Sequence, residues 1–152
     1  ETKAPWIIET YCMRKDSCGA GKHRGGVGVS RSYRFLHPST ALTLVKKTKT
    51  KPWGIGGGKE GVPGSVVVRA GTPDEVVTGA IYDYFQPEDL LINNSGGGGG
   101  WGNPFERDPE KVLWDVINDY VSLESARNDY GVVIDPATMT IDQAATAALR
   151  GA

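Results

Sequence analysis

Asn94-Ser-Gly-Gly-Gly-Gly-Gly-Trp-Gly-Asn-Pro-Phe105 is the stretch whose conformation settles the architecture. Five consecutive glycines, Gly96 to Gly100, can form a flexible tether. They can equally form an extended, polyproline-II-like segment that packs backbone on backbone where a Cβ would not fit. This run leaves the apolar Asp89-Leu-Leu-Ile-Asn93 and enters Trp101 and Pro104-Phe105, and a tether is seldom anchored by aromatics. The expectation is an ordered, buried tract packed against other glycine-rich segments. Such segments exist: 19 of the 21 glycines lie between Gly19 and Gly102, whereas the last fifty residues hold only Gly131 and Gly151. Two regions therefore follow each other, a β-rich, glycine-rich 1–105 and a helical 106–152. At 152 residues they share one domain.

Outward from the tract, β-branched and aromatic composition predicts strands at Trp6 to Met13, Val27 to Leu36, Thr40 to Val45, Ser65 to Arg69, Val76 to Phe85 and Asp89 to Asn93. Gly, Pro, Asn and Asp punctuate them, so the reading is a mainly antiparallel, barrel-like or sandwich sheet with glycine-rich extended loops. The C-terminal tail changes to helical period, which makes the fold class α+β. Asp108-Pro109-Glu110 is an N-cap, a first-turn proline and an acid, followed by the apolar stripe Val112, Leu113, Val116, Ile117, Tyr120. Ser122 caps a second helix that Gly131 ends in a left-handed conformation, and Thr140-Ile-Asp-Gln143 reads as a capping box. The helix it opens is expected to bury Ile141, Ala144, Ala145, Ala148 and Leu149.

Charge and composition exclude several functions. Seventeen Lys and Arg against eighteen Asp and Glu leave a net charge of -1, which offers no broad field for nucleic acid or anionic lipid. No apolar run reaches the length of a membrane span, and Glu1-Thr-Lys-Ala-Pro-Trp6 has neither a signal core nor an initiator Met, as expected of a soluble piece of a longer chain. Cys12 and Cys18 are too few for a disulfide framework or a four-ligand zinc site, and are expected as free buried thiols in a reducing, cytoplasmic setting.

Motif by motif, chemistry is sparse. Gly19-Ala-Gly-Lys-His23 fails the phosphate-loop pattern at Asp16 and His23, where Gly and a hydroxyl residue are required. Gly56 to Gly61 and Gly97 to Gly102 match G-x-G-x-x-G as strings, but neither opens a helix after a strand. His23 and His37 have no Cys or carboxylate partner at metal-ligand spacing. The basic run Lys46 to Lys51 is a solvated loop by default and a contact for an acidic partner otherwise.

Taken in order, Asp16-Ser17, Gly19 to Gly26, Pro52-Trp-Gly-Ile-Gly-Gly-Gly-Lys59, Gly96 to Gly102, Asn103-Pro-Phe-Glu-Arg-Asp-Pro109 and Tyr130-Gly-Val-Val133 resemble the C-terminal part of the hydantoinase B/oxoprolinase family. Cys18 stands where the family usually has Gly, and Asn103 where it usually has Asp. The resemblance implies a subunit of an ATP-dependent cyclic-amide hydrolase, of hydantoinase, oxoprolinase or lactamase type. The alternatives are a subunit of an ATP-dependent ketone carboxylase of acetone or acetophenone type, or a non-catalytic structural module. It also implies a hydantoinase-A-type ATP-binding partner subunit, and ATP and a divalent metal in the complete complex, neither held mainly by this chain. The isolated chain is expected to be inactive, with no catalytic or metal-binding residue of its own. Asp16, Lys22, His23 and Arg24 are the candidate substrate-binding residues. Trp6 to Met13 and the Pro52 to Lys59 loop carry surplus aromatics and are expected to bury against the remainder of the subunit.

Overall fold

The glycine tract decides the architecture because its backbone amides are shared out among its neighbours with a period of three. In the computed structural model, which describes residues 4–151, Gly97 and Gly100 donate to the carbonyls of Val62 (3.0 Å) and Lys59 (2.9 Å). Gly98 and Trp101 donate to Gly26 (2.8 Å) and His23 (2.9 Å), and Gly102 donates to Ile55 (2.9 Å). Three residues per turn is the repeat of the polyproline-II helix, which has no internal hydrogen bonds and must find partners outside itself. The tract is therefore the axis of a bundle whose other members are the irregular segments 17–21, 23–28, 53–55 and 58–62. Their approach leaves no room for side chains: a Cβ on Gly97 would overlap the Ser17 carbonyl, one on Gly99 the Trp53 carbonyl, and one on Gly100 the Ala20 carbonyl.

Around the bundle lie two sheets. The larger has the order β1-β2-β7-β4-β5, every pair antiparallel: β1 (Trp6–Arg14), β2 (Gly28–Phe35), β7 (Leu90–Asn94), β4 (Ser65–Val68) and β5 (Val76–Thr78). A two-stranded ribbon of β3 (Ser39–Leu44) and β6 (Ala80–Phe85) covers it. Phe35, Val66, Val68, Phe85 and Leu91 fill the space between, with the Phe35 and Phe85 rings stacked at 4.5 Å. Trp6 packs edge-on to Tyr33 at 5.1 Å and so belongs to this core. The sheets stay open and do not close into a barrel.

One expected strand becomes two. Val76 to Phe85 divides at Gly79, sending Val76–Thr78 to the large sheet and Ala80–Phe85 to the ribbon. Gly79 lies where the chain crosses between them, its carbonyl accepts from the Val45 amide (2.9 Å), and a Cβ there would press on Thr48. Periodicity runs unbroken through such a crossing, so it cannot reveal it.

The helices follow their caps. Asp108 accepts from the Glu110 amide at the start of α1 (Pro109–Ile117). Ser122 accepts from Ser125 at the start of α2 (Leu123–Tyr130), and Gly131, at φ 64°, ends it. Val112, Val116, Val121, Ala126, Tyr130, Val132 and Ile134 form a second core that reaches back to Ala20 in the bundle. On α1, however, Ile117 is exposed rather than buried.

The capping box at Thr140 does not form. Thr140–Ile141 (β9) pairs instead with Ile134–Asp135 (β8), and Asp142 caps α3 (Gln143–Arg150) by accepting from Ala145 (2.9 Å). The helix docks through Thr146, whose buried hydroxyl accepts from the Val133 amide (3.0 Å), so Ala144, Ala148 and Leu149 face outward. Both thiols are free, but Cys12 is exposed rather than buried and Cys18 half-buried, with burial pushing the Cys18 thiol up.

A Cβ on Gly99 meets backbone that has nowhere to move, whereas one on Gly26 meets nothing within 4 Å. Gly99→Ala should lower stability by at least about 3 kcal/mol, and Gly26→Ala should be neutral or stabilise by up to about 1 kcal/mol. Denaturant unfolding of the two variants checks the contrast.

Candidate functional site

The four candidate residues lie in the 15–26 loop, which leaves β1 and enters the bundle. Asp16 sits in the left-handed region at φ 56°. Its amide donates to the Tyr120 carbonyl (3.0 Å) and its carboxylate accepts from the Ser122 amide (2.7 Å), so it latches the loop to the junction of α1 and α2. Ser17, buried beside it, accepts from the Gly28 amide (2.7 Å) and fixes the loop's other end.

Arg24 turns inward. Its Nε donates to one oxygen of Asp115 (2.9 Å), while Arg107 Nη2 donates to the other (2.8 Å). Asp115 is 1% exposed and carries two guanidiniums, with the Arg24 group also lying 5.1 Å from the Tyr120 ring centroid. Arg107 continues the chain of contacts to the Lys22 carbonyl (3.2 Å), and Arg150 donates to the carbonyls of Arg107 (2.8 Å) and Tyr130 (3.1 Å). The loop and the segment before α1 are thus clamped to α1 through one buried carboxylate, and α3 joins them through the carbonyls that Arg150 holds. The Tyr130 hydroxyl and Arg107 Nε are buried without a hydrogen-bond partner among the described residues, and desolvation pushes the Tyr130 phenol well up.

Lys22 and His23 face the other way. Lys22 pairs with Glu106 (3.0 Å), both about half exposed. His23 exchanges backbone hydrogen bonds with Trp101 (3.0 and 2.9 Å), and their rings lie 5.4 Å apart. The structure therefore brings together only Lys22 and His23, at an exposed edge with Trp101 and Glu106. Asp16 and Arg24 are engaged by the helical tail. The clamp residues Asp115, Arg107 and Arg150 were not singled out from the sequence. The available signal was Asp115 itself, an acid on the buried stripe of α1 between Val112 and Val116.

As to a divalent metal, no group of three or more His, Cys, Asp or Glu side chains among the described residues is placed to hold one. The best-shielded carboxylate, Asp115, has both oxygens committed to arginines. The described residues do not form a metal site.

A family model described as Hydantoinase B/oxoprolinase matches residues 1–104. The caprolactamase subunit beta of Pseudomonas jessenii is 36% identical over 159 residues, covering 100% of this chain and 27% of that protein. The crystal structure of the ATP-dependent caprolactamase from Pseudomonas jessenii superposes with a TM-score of 0.86 at 32% identity, over 99% of this chain and 27% of that one. The nucleotide-free structure of acetone carboxylase shares the fold, with a TM-score of 0.81 at 24% identity, over 97% of this chain and 24% of that one. The chain belongs to the hydantoinase B/oxoprolinase family. It spans about a quarter of the length of these relatives.

Removing the clamp's carboxylate leaves two guanidiniums facing each other with little water. Asp115→Asn should cost about 3–5 kcal/mol, whereas Glu106→Gln, which breaks only the exposed Lys22 pair, should cost less than about 1 kcal/mol. Urea unfolding of both variants measures the difference.

Proposed function

We propose that this chain is the C-terminal part of a hydantoinase-B-type subunit in an ATP-dependent cyclic-amide hydrolase. The observation that carries the reading is the match to caprolactamase along 99% of the chain at 32% identity. Within such an enzyme the chain is a scaffold, because its described residues present no nucleophile paired with a base and its one deeply buried acid is neutralised by Arg24 and Arg107. Residues 1–105 and 106–152 act as one unit, a reading supported by Ala20 lying in the helical core. Of the four candidates, Lys22 and His23 lie exposed at the Trp101 edge and are able to meet a substrate, while Asp16, exposed but bonded to the Ser122 amide, and Arg24 hold the loop that presents them.

The partners in this reading are the remainder of the hydantoinase-B-type polypeptide and a hydantoinase-A-type ATP-binding subunit, with ATP and a divalent metal held chiefly by those parts. One face of the β3–β6 ribbon supports a polypeptide partner. Leu42 lies opposite Tyr82, Thr40 opposite Tyr84 and Leu44 opposite Ala80, and Leu42, Leu44, Tyr82 and Tyr84 are 51–78% exposed. Of the aromatics expected at an interface, Tyr11 on the edge strand β1 and Trp53 point outward, whereas Trp6 fills the chain's own core. Among the described residues no helix is long and apolar enough to cross a membrane, and a cytoplasmic location fits the two free thiols.

ATP turnover by the complete complex tests the activity. Caprolactam, a hydantoin or 5-oxoproline should stimulate it with release of the ring-opened product, an amino acid from a lactam and an N-carbamoyl amino acid from a hydantoin, and this chain by itself should hydrolyse none of them. Stimulation by a ketone with bicarbonate, and by no cyclic amide, would replace the hydrolase reading with the carboxylase one.

A further inference from the structure

Two arginines on β2 meet opposite fates. Arg34 gives its guanidinium to Glu9 and Glu88. Arg31, three residues earlier and so on the other face of the strand, pairs with no carboxylate among the described residues. Its guanidinium is nevertheless held. Tyr11, its register partner on β1, places its ring centroid 4.2 Å from the guanidinium carbon, and the Tyr33 hydroxyl accepts from Arg31 Nη1 (3.0 Å). Together these contacts fix the guanidinium while occupying one of its five N–H donors. The planar fork that matches a carboxylate stays free.

Arg31 faces a cleft of about 440 Å³ between the large sheet and the end of the ribbon, where Tyr11, Tyr33 and Asn93 line it from the sheet and Thr43 and Leu44 from the ribbon. Asn93 Oδ1 accepts from Thr43 Oγ1 (3.0 Å), which ties ribbon to sheet at this point. The charged residues of the lining, Arg31 and Lys46, are both cationic, and no Asp or Glu is among them. A held cation without an acid, beside the apolar surface of Tyr11 and Leu44, suits an anion that carries an apolar body.

We propose that this cleft binds an organic carboxylate, with its oxygens on the Arg31 guanidinium and its apolar body against Tyr11 and Leu44. Paired, charge-assisted N–H donors give such a contact both its strength and its geometry. Tyr11 and Tyr33 act as positioning residues, since a guanidinium already stacked and hydrogen-bonded has less rotamer freedom to lose when the anion arrives. The cleft adjoins Ser95 and Gly96 at the start of the glycine tract, whereas Lys22 and His23 lie at its Trp101 end. The site therefore stands whether or not the enzymatic reading above holds.

Isothermal titration calorimetry of the purified protein, in the assembly it is purified in, tests the site at constant ionic strength. The probes are 3-phenylpropionate and the capped tripeptide acetyl-Leu-Glu-Leu-amide, each beside its neutral counterpart, 3-phenylpropionamide or the tripeptide with Gln for Glu. One or both carboxylates should bind saturably, at least tenfold more tightly than the counterpart. Binding of 3-phenylpropionate marks a site for a small acid, and binding of the Glu tripeptide alone a site for an acidic side chain of a polypeptide. Affinity should fall at least tenfold in Arg31→Gln, fall also in Arg31→Lys, which keeps the charge without the fork, and stay unchanged in Arg34→Gln on the opposite face. No saturable binding by either carboxylate, equal binding of the neutral counterparts, or undiminished affinity in either Arg31 variant would overturn the proposal.

Discussion

The contact on which the rest of this structure depends is backbone against backbone along Gly96 to Gly100. The segments 15–27 and 45–64 and the tract itself lie outside any long strand or helix, yet their polar main-chain groups must still be paired when buried. A bundle of extended segments solves this by donating sideways, with each third residue of the central tract turned to the same neighbour. The geometry works only if the chains come close enough for N–H and C=O to meet, and that closeness excludes a Cβ at Gly97, Gly99 and Gly100. The glycine richness is thus a packing requirement. Without it the two sheets would lose what joins β1 to β2 and β3 to β4, because both connections run through the bundle.

The helical tail is attached to this bundle by charge as well as by apolar packing. Asp115 compensates Arg24 from the loop and Arg107 from the segment just after the tract, and Arg150 adds hydrogen bonds to two carbonyls. A buried carboxylate with two guanidiniums is a demanding arrangement, since losing Asp115 leaves both positive charges without compensation. It makes the orientation of the tail specific. The apolar contact of Ala20 with the Val112 and Val116 stripe makes the attachment favourable, and the clamp selects a single geometry among those that would satisfy it.

Much of this was legible in the sequence where the signal is local. The caps at Asp108 and Ser122 and the stop at Gly131 are chemistry within one turn of helix, and all three form as their residue types require. The order of the glycine tract was legible from its aromatic flanks. Its partners carried a further signal, glycine at every third position in Gly25 and Gly28 and again in Gly58, Gly61 and Gly64, which is the spacing of residues that face the tract. What escaped depends on tertiary contact. Gly79 moves the chain from one sheet to the other, and Thr140–Ile141 leaves its capping box to pair with Ile134–Asp135. In the candidate site, residue type marks 16–24 as a polar loop, but only the fold reveals that Asp16 and Arg24 turn toward the helices while Lys22 and His23 turn away. The arginines that complete the clamp come from positions 83 and 126 residues further along, a distance no local pattern spans.

The same geometry connects scaffold and surface. The polyglycine axis fixes Trp101 and His23 at one end, so the candidate binding edge inherits its position from the tract. Hydrogen–deuterium exchange resolved to single amides across 95–102 tests this dependence most directly. The account predicts slow exchange at Gly97, Gly98, Gly100 and Trp101, comparable with the paired strands β2 and β7, and faster exchange at Gly96 and Gly99. Exchange across the whole stretch at the rate of an unstructured glycine peptide would contradict it.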